Sequence, residues 1–216
     1  MANIIRFEDA SKTILNNKIF DNLNFEFSDS IYHLIGNNGS GKTTLLKLIM
    51  GLEKLSSGRV FLDNQLISSD TASSIYYAPD DLPIYDFLKG IEFLDWITKV
   101  RIHPKAEVED LIKGFKLRDS INKTFAEMSL GTKKKFVLIS VLIGQPKFIL
   151  LDEPFNGLDA AAQEYLMHNL LERASRSGII FTHHNLKKLD FKADITKVEI
   201  ANHNLNFVNS MQDVLA

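Results

Sequence analysis

The most informative stretch of the chain reads Gly36-Asn37-Asn38-Gly39-Ser40-Gly41-Lys42-Thr43-Thr44. It follows a short apolar run, Ile31–Ile35, and precedes a run with helical character, Leu45–Met50. A strand, a glycine-rich loop and a helix in this order form a phosphate-binding P-loop, whose backbone N–H groups make an anion nest. A flexible glycine turn with a surface lysine is the alternative, but it would not require the flanking strand and helix. The stretch therefore predicts a site for a nucleoside triphosphate.

The residues after the glycines predict how the triphosphate and its metal are held. Lys42 is expected to reach the β- and γ-phosphates, and the Thr43 hydroxyl to ligate magnesium. Further along, Asp152 and Glu153 directly follow the apolar run Phe148–Leu151. Ligands of open α/β sheets gather at the carboxyl ends of the strands, so Asp152 is expected to orient the magnesium shell. Glu153 points the other way, and we expect it to accept a proton from the attacking water.

Composition and charge exclude several classes of protein. The chain has 216 residues, of which 45% are apolar and 24% charged, as in an ordinary soluble globular protein. Its formal net charge of −2 gives no electrostatic argument for binding nucleic acid or an anionic membrane surface. It contains no cysteine, which excludes disulfides and fits a reducing cytosol. The N-terminus lacks the apolar core of a signal peptide, and the longest apolar run, Phe136–Ile143, is shorter than the roughly 20 residues that cross a bilayer.

The spacing of apolar residues predicts strands near both ends of the chain. Alternating or continuous apolar character marks Ile4–Phe7, Asn22–Phe27 and Ile31–Ile35. Asp63-Asn64 lies between two apolar runs, and both residues tolerate a positive φ, so a tight hairpin is expected there. A closing hairpin is expected around Asn202-His203-Asn204.

Between these β-rich parts the pattern becomes helical, from about residue 80 to residue 145. Apolar residues recur at helical spacing from Phe87 to Ile97 and from Val108 to Phe115. We expect Trp96 to pack inside this helical part, as most large aromatic side chains do.

Strands and helices alternate in the rest of the chain, as in a mainly parallel sheet. Buried strands are predicted at Lys147–Leu151 and Gly178–Thr182, with a helix over Glu164–Arg173 between them. The sequence therefore predicts an α/β P-loop NTPase with a mainly parallel core sheet, an N-terminal antiparallel β part and an inserted helical subdomain. We expect one domain over residues 1–216, with its core in 1–79 and 146–216 and its helical subdomain in about 80–145.

Further segments resemble the ATP-binding subunit of an ATP-binding cassette (ABC) transporter, and the resemblance covers nearly the whole chain. Ser129-Leu130-Gly131-Thr132-Lys133 resembles the family's signature motif, which usually reads Ser-Gly-Gly-Gln before a basic residue. Asn156-Gly157-Leu158-Asp159 is similar to the D-loop. His184, rather than His183, resembles the switch histidine that ends a strand.

Three positions depart from the usual residues of this family. Asp80 stands where the family has the Q-loop glutamine; it is shorter, anionic and unable to donate, yet the resemblance implies that it contacts magnesium or water. Ile14 stands where an aromatic ring normally stacks on adenine, which predicts weak adenine affinity and weak selectivity for ATP over GTP. Leu130 replaces a signature glycine, which predicts a less tightly closed dimer.

The resemblance implies a head-to-tail dimer, formed with a second copy or with another ABC ATPase chain, that encloses two ATP molecules with magnesium. Each ATP would lie between the P-loop of one subunit and Ser129, Gly131 and Thr132 of the other. Glu153 would act as general base or position the attacking water, and His184 would stabilise the γ-phosphate side. Asp159 would communicate across the interface.

The residues themselves support a phosphate site at the signature segment. Ser129 is expected to cap a helix that runs from about Thr132, and the positive N-terminal end of that helix suits a γ-phosphate. Lys133, Lys134 and Lys135 are unfavourable at this end unless an anion lies nearby. For Lys134 and Lys135 a solvated basic face is the alternative.

The sequence therefore predicts an ATPase that powers transport through a separate membrane permease, which holds it at the cytoplasmic face of the membrane. Residues 82–94 are similar to a segment of bacterial drug and peptide exporters, which favours export. One alternative is a nucleotide-binding regulatory subunit with weak or no hydrolysis, paired with another ATPase cassette. A second is a soluble DNA-repair, chromosome-structuring or ribosome-associated relative, but the sequence shows none of the coiled coils, zinc inserts, tandem cassettes or basic surfaces that these need. The cargo is not encoded in this chain, because the membrane chain chooses it.

Overall fold

The computed structural model of the chain describes residues 3–81, 84–101, 105–183 and 195–208, and the side chains of all of these except residues 69, 70, 105 and 106. The chain forms two compact units. The first comprises residues 1–77, 146–152 and 174–216, and the second comprises residues 78–145 and 153–173, as far as each is described.

The described residues form strands and helices in alternation after an N-terminal β part. In chain order the strands are β1 (Ile5–Ile14), β2 (Asn17–Phe27), β3 (Ile31–Ile35), β4 (Ser57–Leu62), β5 (Gln65–Leu66), β6 (Ile75–Ala78), β7 (Phe148–Leu151), β8 (Gly178–Thr182), β9 (Ile195–Ala201) and β10 (Asn204–Phe207). The α-helices are α1 (Lys42–Ile49), α2 (Ser69–Ala72), α3 (Gly90–Arg101), α4 (Lys105–Gly114), α5 (Leu130–Leu142) and α6 (Ala160–Arg173), and one 3-10 turn spans Phe125–Glu127.

The N-terminal strands of the first unit build an antiparallel sheet in the order β2-β1-β4-β5. Buried side chains such as Ile5 and Phe7 alternate with more exposed ones along β1, so one face of this sheet belongs to a core. The pairing of β1 with β2 runs from Ile5 opposite Phe27 to Ile14 opposite Asn17. The predicted antiparallel β part is confirmed, but both strands are longer than the apolar pattern indicated.

Two-residue turns with two positive φ angles join three of the strand pairs. Asp63-Asn64 has φ angles of 49° and 66° between β4 and β5, and Asn202-His203 has 52° and 62° between β9 and β10. These are the two predicted hairpins. A third turn, Leu15-Asn16, has φ angles of 47° and 68° and joins β1 to β2. It was not predicted, because leucine rarely occupies a left-handed position.

The second sheet of the first unit has the order β10-β9-β3-β8-β7-β6. The pairs β3–β8, β3–β9 and β7–β8 are parallel, and β9–β10 is antiparallel. Every residue of β7 and β8 is buried, which explains their continuous apolar sequences. Because β3, β7 and β8 are parallel, the residues that end them leave the sheet at the same edge.

One hydrophobic core serves both sheets of the first unit. It joins Phe7 and Phe27 of the antiparallel sheet to Leu34 of β3, Leu45 of α1 and Phe148 of β7. This core fixes α1 against the sheet, and therefore also fixes the loop that connects β3 to α1.

The second unit is built around α5, which packs against α3, α4 and α6. Aromatic rings connect these helices, with Phe125 edge-on to both Phe93 and Phe136 and Phe115 edge-on to Tyr165. The apolar pattern assigned residues 153–173 to the core with the sheets, whereas contacts in the structure group them with these helices.

Several predicted details of the helices differ from the structure. Trp96 is 60% exposed on α3, so the prediction that it packs inside the helical part is wrong. The helix α6 begins at Ala160 rather than at Glu164, because the carboxylate of Asp159 accepts a hydrogen bond from the Ala162 N–H at 2.9 Å and caps the helix.

Candidate nucleotide-binding site

The P-loop leads from β3 into α1 through Gly36, Gly39 and Gly41, all of which have positive φ angles. Gly41 has a φ of 108° and accepts a hydrogen bond from the Leu45 N–H at 2.8 Å, the first bond of the helix. A Cβ atom at Gly41 would lie 2.6 Å from Cγ2 of Ile19, and one at Gly36 would lie 2.6 Å from the Ser40 Oγ. Backbone angle and close packing therefore both require glycine here.

Lys42 is the first residue of α1, and its side chain turns back over the loop. The Nζ atom donates to the carbonyl oxygens of Gly36 at 2.7 Å and of Asn37 at 3.2 Å. The residue is only 9% exposed. Both of these acceptors are neutral, and a buried ammonium held by neutral dipoles favours an anion beside it.

Asp152, which follows β7, connects the P-loop to the end of β8. Its Oδ2 accepts a hydrogen bond from the Thr43 hydroxyl at 2.6 Å, and its Oδ1 accepts one from the Thr182 hydroxyl at 2.8 Å. Asp152 and Thr182 are both buried. The predicted pair Thr43 and Asp152 is thus brought into direct contact, and Thr182 joins it.

The residues present fit a triphosphate with magnesium. The Ser40 Oγ is buried and has no hydrogen-bond partner among the described residues. A buried hydroxyl normally has a partner, and this one lies beside a helix N-terminus, where backbone N–H groups bind phosphate. The Thr43 hydroxyl and the Asp152 carboxylate supply hard oxygen donors of the kind that magnesium prefers.

A cavity of about 500 Å³ adjoins the P-loop within the first unit. The loop contributes Asn37 to Ser40, β2 contributes Lys18 and Ile19, and the β9–β10 hairpin contributes residues 199–203. Ile14, the predicted adenine contact, is not among the lining residues; it lies opposite Asn17 at the end of β1 and is 38% exposed. The apolar side chain that the structure places against Gly41 is Ile19.

The signature segment forms the N-terminus of α5 in the second unit. The Ser129 Oγ accepts a hydrogen bond from the Thr132 N–H at 3.3 Å and lies 3.0 Å from the Thr132 Oγ1. The helix therefore begins at Leu130, two residues earlier than predicted. A Cβ atom at Gly131 would lie 2.4 Å from the Gly157 carbonyl oxygen, so the small residue lets α5 approach the predicted D-loop.

Asp159 of the predicted D-loop is held within its own chain. Its Oδ2 accepts a hydrogen bond from Lys135 Nζ at 2.7 Å, in addition to the cap it provides to α6. The bond from Lys135 and the bond from the Ala162 N–H lower the pKa of Asp159 below its ordinary value. The carboxylate is therefore charged throughout the neutral range.

The lysines of α5 pair with aspartates of this chain. Lys133 Nζ lies 2.8 Å from Asp86 Oδ1, and Lys134 Nζ lies 2.9 Å from Asp80 Oδ1. The expected neighbouring anions are thus side chains of this chain. The solvated alternative is wrong for Lys134, which is 6% exposed.

Lys134 also reaches the residue predicted to act on water. Its Nζ donates a short hydrogen bond to the backbone carbonyl of Glu153. Glu153 has a φ of 46°, a left-handed value that is uncommon for residues other than glycine. Its carbonyl also accepts from the Asn156 N–H at 3.2 Å. Asp80 is predicted as a metal ligand, but in the structure its Oδ1 accepts a hydrogen bond from Lys134 Nζ.

Sequence reasoning missed Thr182 and Ile19 and did not single out Lys134, and His184 lies outside the described residues. Thr182 could have been found, because it ends a predicted strand at the same edge as Asp152. Ile19 carried only the weak signal of an apolar position near the N-terminal strands. Nothing in the sequence singled out Lys134 from its two lysine neighbours.

The parallel sheet, the P-loop and the Thr43–Asp152 contact define a P-loop nucleotide-binding protein. A sequence model described as ABC transporter matches residues 20–156, more than half of the chain. The chain belongs to this family, and the resemblance noted in its motifs is confirmed.

Curated relatives include an ABC transporter ATP-binding protein and a phospholipid-transporting ATPase. YhcH of Bacillus subtilis (strain 168), an uncharacterized ABC transporter ATP-binding protein, is 29% identical over 201 residues, which are 90% of this chain and 66% of YhcH. The phospholipid-transporting ATPase ABCA3 of Homo sapiens is 36% identical over 168 residues, 74% of this chain and 10% of ABCA3. The chain thus spans just under two-thirds of YhcH and a small part of ABCA3.

Solved structures show the same fold. The ATP-binding subunit of an ABC transporter superposes with a TM-score of 0.84 at 24% identity, covering 95% of this chain and 90% of that one. A bacterial Atm1-family ABC exporter with ATP bound superposes with a TM-score of 0.80 at 20% identity, covering 94% of this chain and 37% of that one. The predicted α/β fold is confirmed. No helix within the described part of the chain is long and apolar enough to cross a membrane.

Proposed function

We propose that the chain binds and hydrolyses ATP and thereby powers transport through a separate membrane permease. The observation that carries this proposal is the contact of Thr43 with Asp152 at the end of the P-loop, supported by Thr182. It places a hydroxyl and a carboxylate side by side, at the helix N-terminus where a triphosphate would lie.

The phosphate end of the substrate is assigned to residues 36–44. Backbone N–H groups of the loop and the unpaired Ser40 hydroxyl donate to phosphate oxygens, and Lys42 exchanges its carbonyl acceptors for them. Thr43 and Asp152 hold the magnesium ion, which when bound neutralises charge on the β- and γ-phosphate oxygens. Asp80 accepts a hydrogen bond from Lys134, so we do not assign Asp80 as a magnesium ligand.

The base end of the substrate is assigned to the cavity beside the P-loop. Ile19 supplies an apolar surface there, and Ile14 remains the residue proposed from the family motif. Neither side chain offers an aromatic ring, so neither supplies the extra attraction of stacked rings. Weak discrimination between ATP and GTP follows.

Hydrolysis is assigned to Glu153, which orients the attacking water and accepts its proton. The backbone carbonyl of Glu153 is held by Lys134 and Asn156, which limits the directions its side chain can take. His184 is proposed on the sequence motif alone, as a contact on the γ-phosphate side.

The site is proposed to be completed by a second subunit, either another copy or a different ABC ATPase chain. Ser129, Gly131 and Thr132 form the N-terminus of α5, and this positive helix end would face the γ-phosphate bound by the partner. Asp159 lies in the adjoining loop and would relay changes across the interface. The permease would hold the dimer at the cytoplasmic face of the membrane, and the likeness of residues 82–94 to exporters favours export.

ATP hydrolysis by the purified chain tests this function. We expect magnesium-dependent release of phosphate from ATP, and we expect Lys42→Ala to abolish it, because the triphosphate loses its main cationic contact. Lys147→Ala, which removes a surface ion pair with Asp63, is the matched lysine control and should leave the rate within about twofold. A wild-type rate equal to that of Lys42→Ala, with ATP still bound, would favour the regulatory subunit instead.

A further inference from the structure

We propose that Lys134 is a positioning residue that ties the segment around Asp80 to the Glu153 peptide and so sets the geometry of the group that orients water. The inference rests on the proposed function for its consequence in hydrolysis. Its structural part concerns contacts inside the second unit alone.

The burial of Lys134 distinguishes it from its neighbours. Transfer of an ammonium out of water is unfavourable unless acceptors replace the lost hydration. Lys134 is 6% exposed, so its position is maintained by Asp80 Oδ1 and the Glu153 carbonyl oxygen. Removal of either acceptor would leave the buried Lys134 ammonium with too few hydrogen-bond acceptors.

The two acceptors come from different segments. Asp80 directly follows the end of β6, whereas Glu153 follows Asp152 at the end of β7. One cation on α5 therefore bridges the loops that leave two strands. A displacement of Asp80 would be transmitted through Lys134 to the peptide of Glu153.

The backbone at Glu153 requires such support. A non-glycine residue at a φ of 46° is strained and persists only where its surroundings hold it. The described bonds to its carbonyl come from the Asn156 N–H and from Lys134, and the lysine bond carries a full charge. Loss of Lys134 would let this peptide relax and move the Glu153 side chain.

The neighbouring pair Lys133–Asp86 provides a matched control. Its N–O distance is 2.8 Å, close to the 2.9 Å of Lys134–Asp80, but within the described residues Lys133 makes no bond to Glu153. The Asp86 side chain is 71% exposed, so loss of its charge is expected to matter little.

The kinetic test compares Lys134→Met, Asp80→Asn, the double variant and Asp86→Asn. We expect kcat for ATP to fall at least about tenfold in Lys134→Met, with KM within about twofold, because misplacement of a reacting group costs rate rather than phosphate binding. Asp80→Asn should lower kcat less, and the double variant should be no slower than Lys134→Met. Asp86→Asn should resemble wild type.

Hydrogen–deuterium exchange provides a readout that does not depend on hydrolysis. Amides of residues 155–158 should exchange faster in Lys134→Met and Asp80→Asn than in wild type or Asp86→Asn. Should Lys134→Met not fold, Asp80→Asn decides alone, since that side chain is 52% exposed. Unchanged exchange overturns the proposal, as does a kcat for Lys134→Met within twofold of an active wild type. An inactive wild type with the expected exchange pattern would instead refute the proposed hydrolysis and leave the positioning role supported.

Discussion

At the scale of single residues, the site depends on charged groups whose partners lie far away in the sequence. Thr43 reaches Asp152 across 109 positions, and Lys134 reaches Asp80 across 54. Such contacts form only when the sheet and helices have brought the segments together. Residue type alone identified Thr43 and Asp152, because hydroxyl and carboxylate are recognisable metal donors, but it did not identify Thr182 as the second donor to Asp152.

The lowered pKa of Asp159 yields a prediction at this scale. In Lys135→Met the pKa should rise toward its ordinary value, because the hydrogen bond from Lys135 is its largest cause. The folded-state pKa is below the unfolded one, so the stabilisation is complete above about pH 4 and is lost as pH falls through the folded value. Carboxyl NMR titration measures this pKa shift. The difference in the free energy of unfolding between Lys135→Met and wild type should become smaller as the pH falls through the folded-state pKa of Asp159.

Glu127 serves as the internal control in the same titration. Its pKa is lowered by the Thr124 hydroxyl and N–H, with no contribution from Lys135, so it should titrate identically in both proteins. An Asp159 pKa that does not move in Lys135→Met would contradict the assigned cause.

At the scale of elements, the close approach of α5 to the loop at Gly157 is set by Gly131. Gly131→Ala would place a Cβ atom 2.4 Å from the Gly157 carbonyl oxygen. Overpacking of this kind costs about 1–3 kcal/mol, whereas alanine gains at most about 1 kcal/mol of helix propensity over glycine. We therefore expect the free energy of unfolding to fall by about 1 kcal/mol in urea denaturation.

Leu130→Ala is the control for that element. Leu130 lies on the same turn of α5 but is 75% exposed, so its truncation should change stability by less than about 0.5 kcal/mol. If Gly131→Ala were as stable as Leu130→Ala, the loop at Gly157 would have to move without any loss of stability. The close approach of α5 to this loop would then not contribute to stability.

At the scale of the whole molecule, the proposed two-subunit site predicts a change of oligomeric state. Glu153→Gln cannot accept a proton, so ATP should persist and hold two copies together through P-loop and signature segment. We expect light scattering to show a dimer with ATP and magnesium, and a monomer after removal of the nucleotide. Glu153→Gln combined with Lys42→Ala should remain monomeric under both conditions. A monomer at saturating ATP would show that two copies do not enclose nucleotide by themselves.

The sequence by itself determined the order of the elements, the P-loop, two of the three tight hairpins and the family. These depend on residues close together in the chain, where backbone preference and side-chain type act directly. Only the tertiary structure decided that Trp96 is exposed, that Thr182 supports Asp152, that Ile19 lies against Gly41 of the P-loop, and that Lys134 is buried between Asp80 and Glu153. The burial of a side chain and its contacts with distant segments depend on how whole helices and strands pack. The spacing of residues along a single segment does not specify that packing.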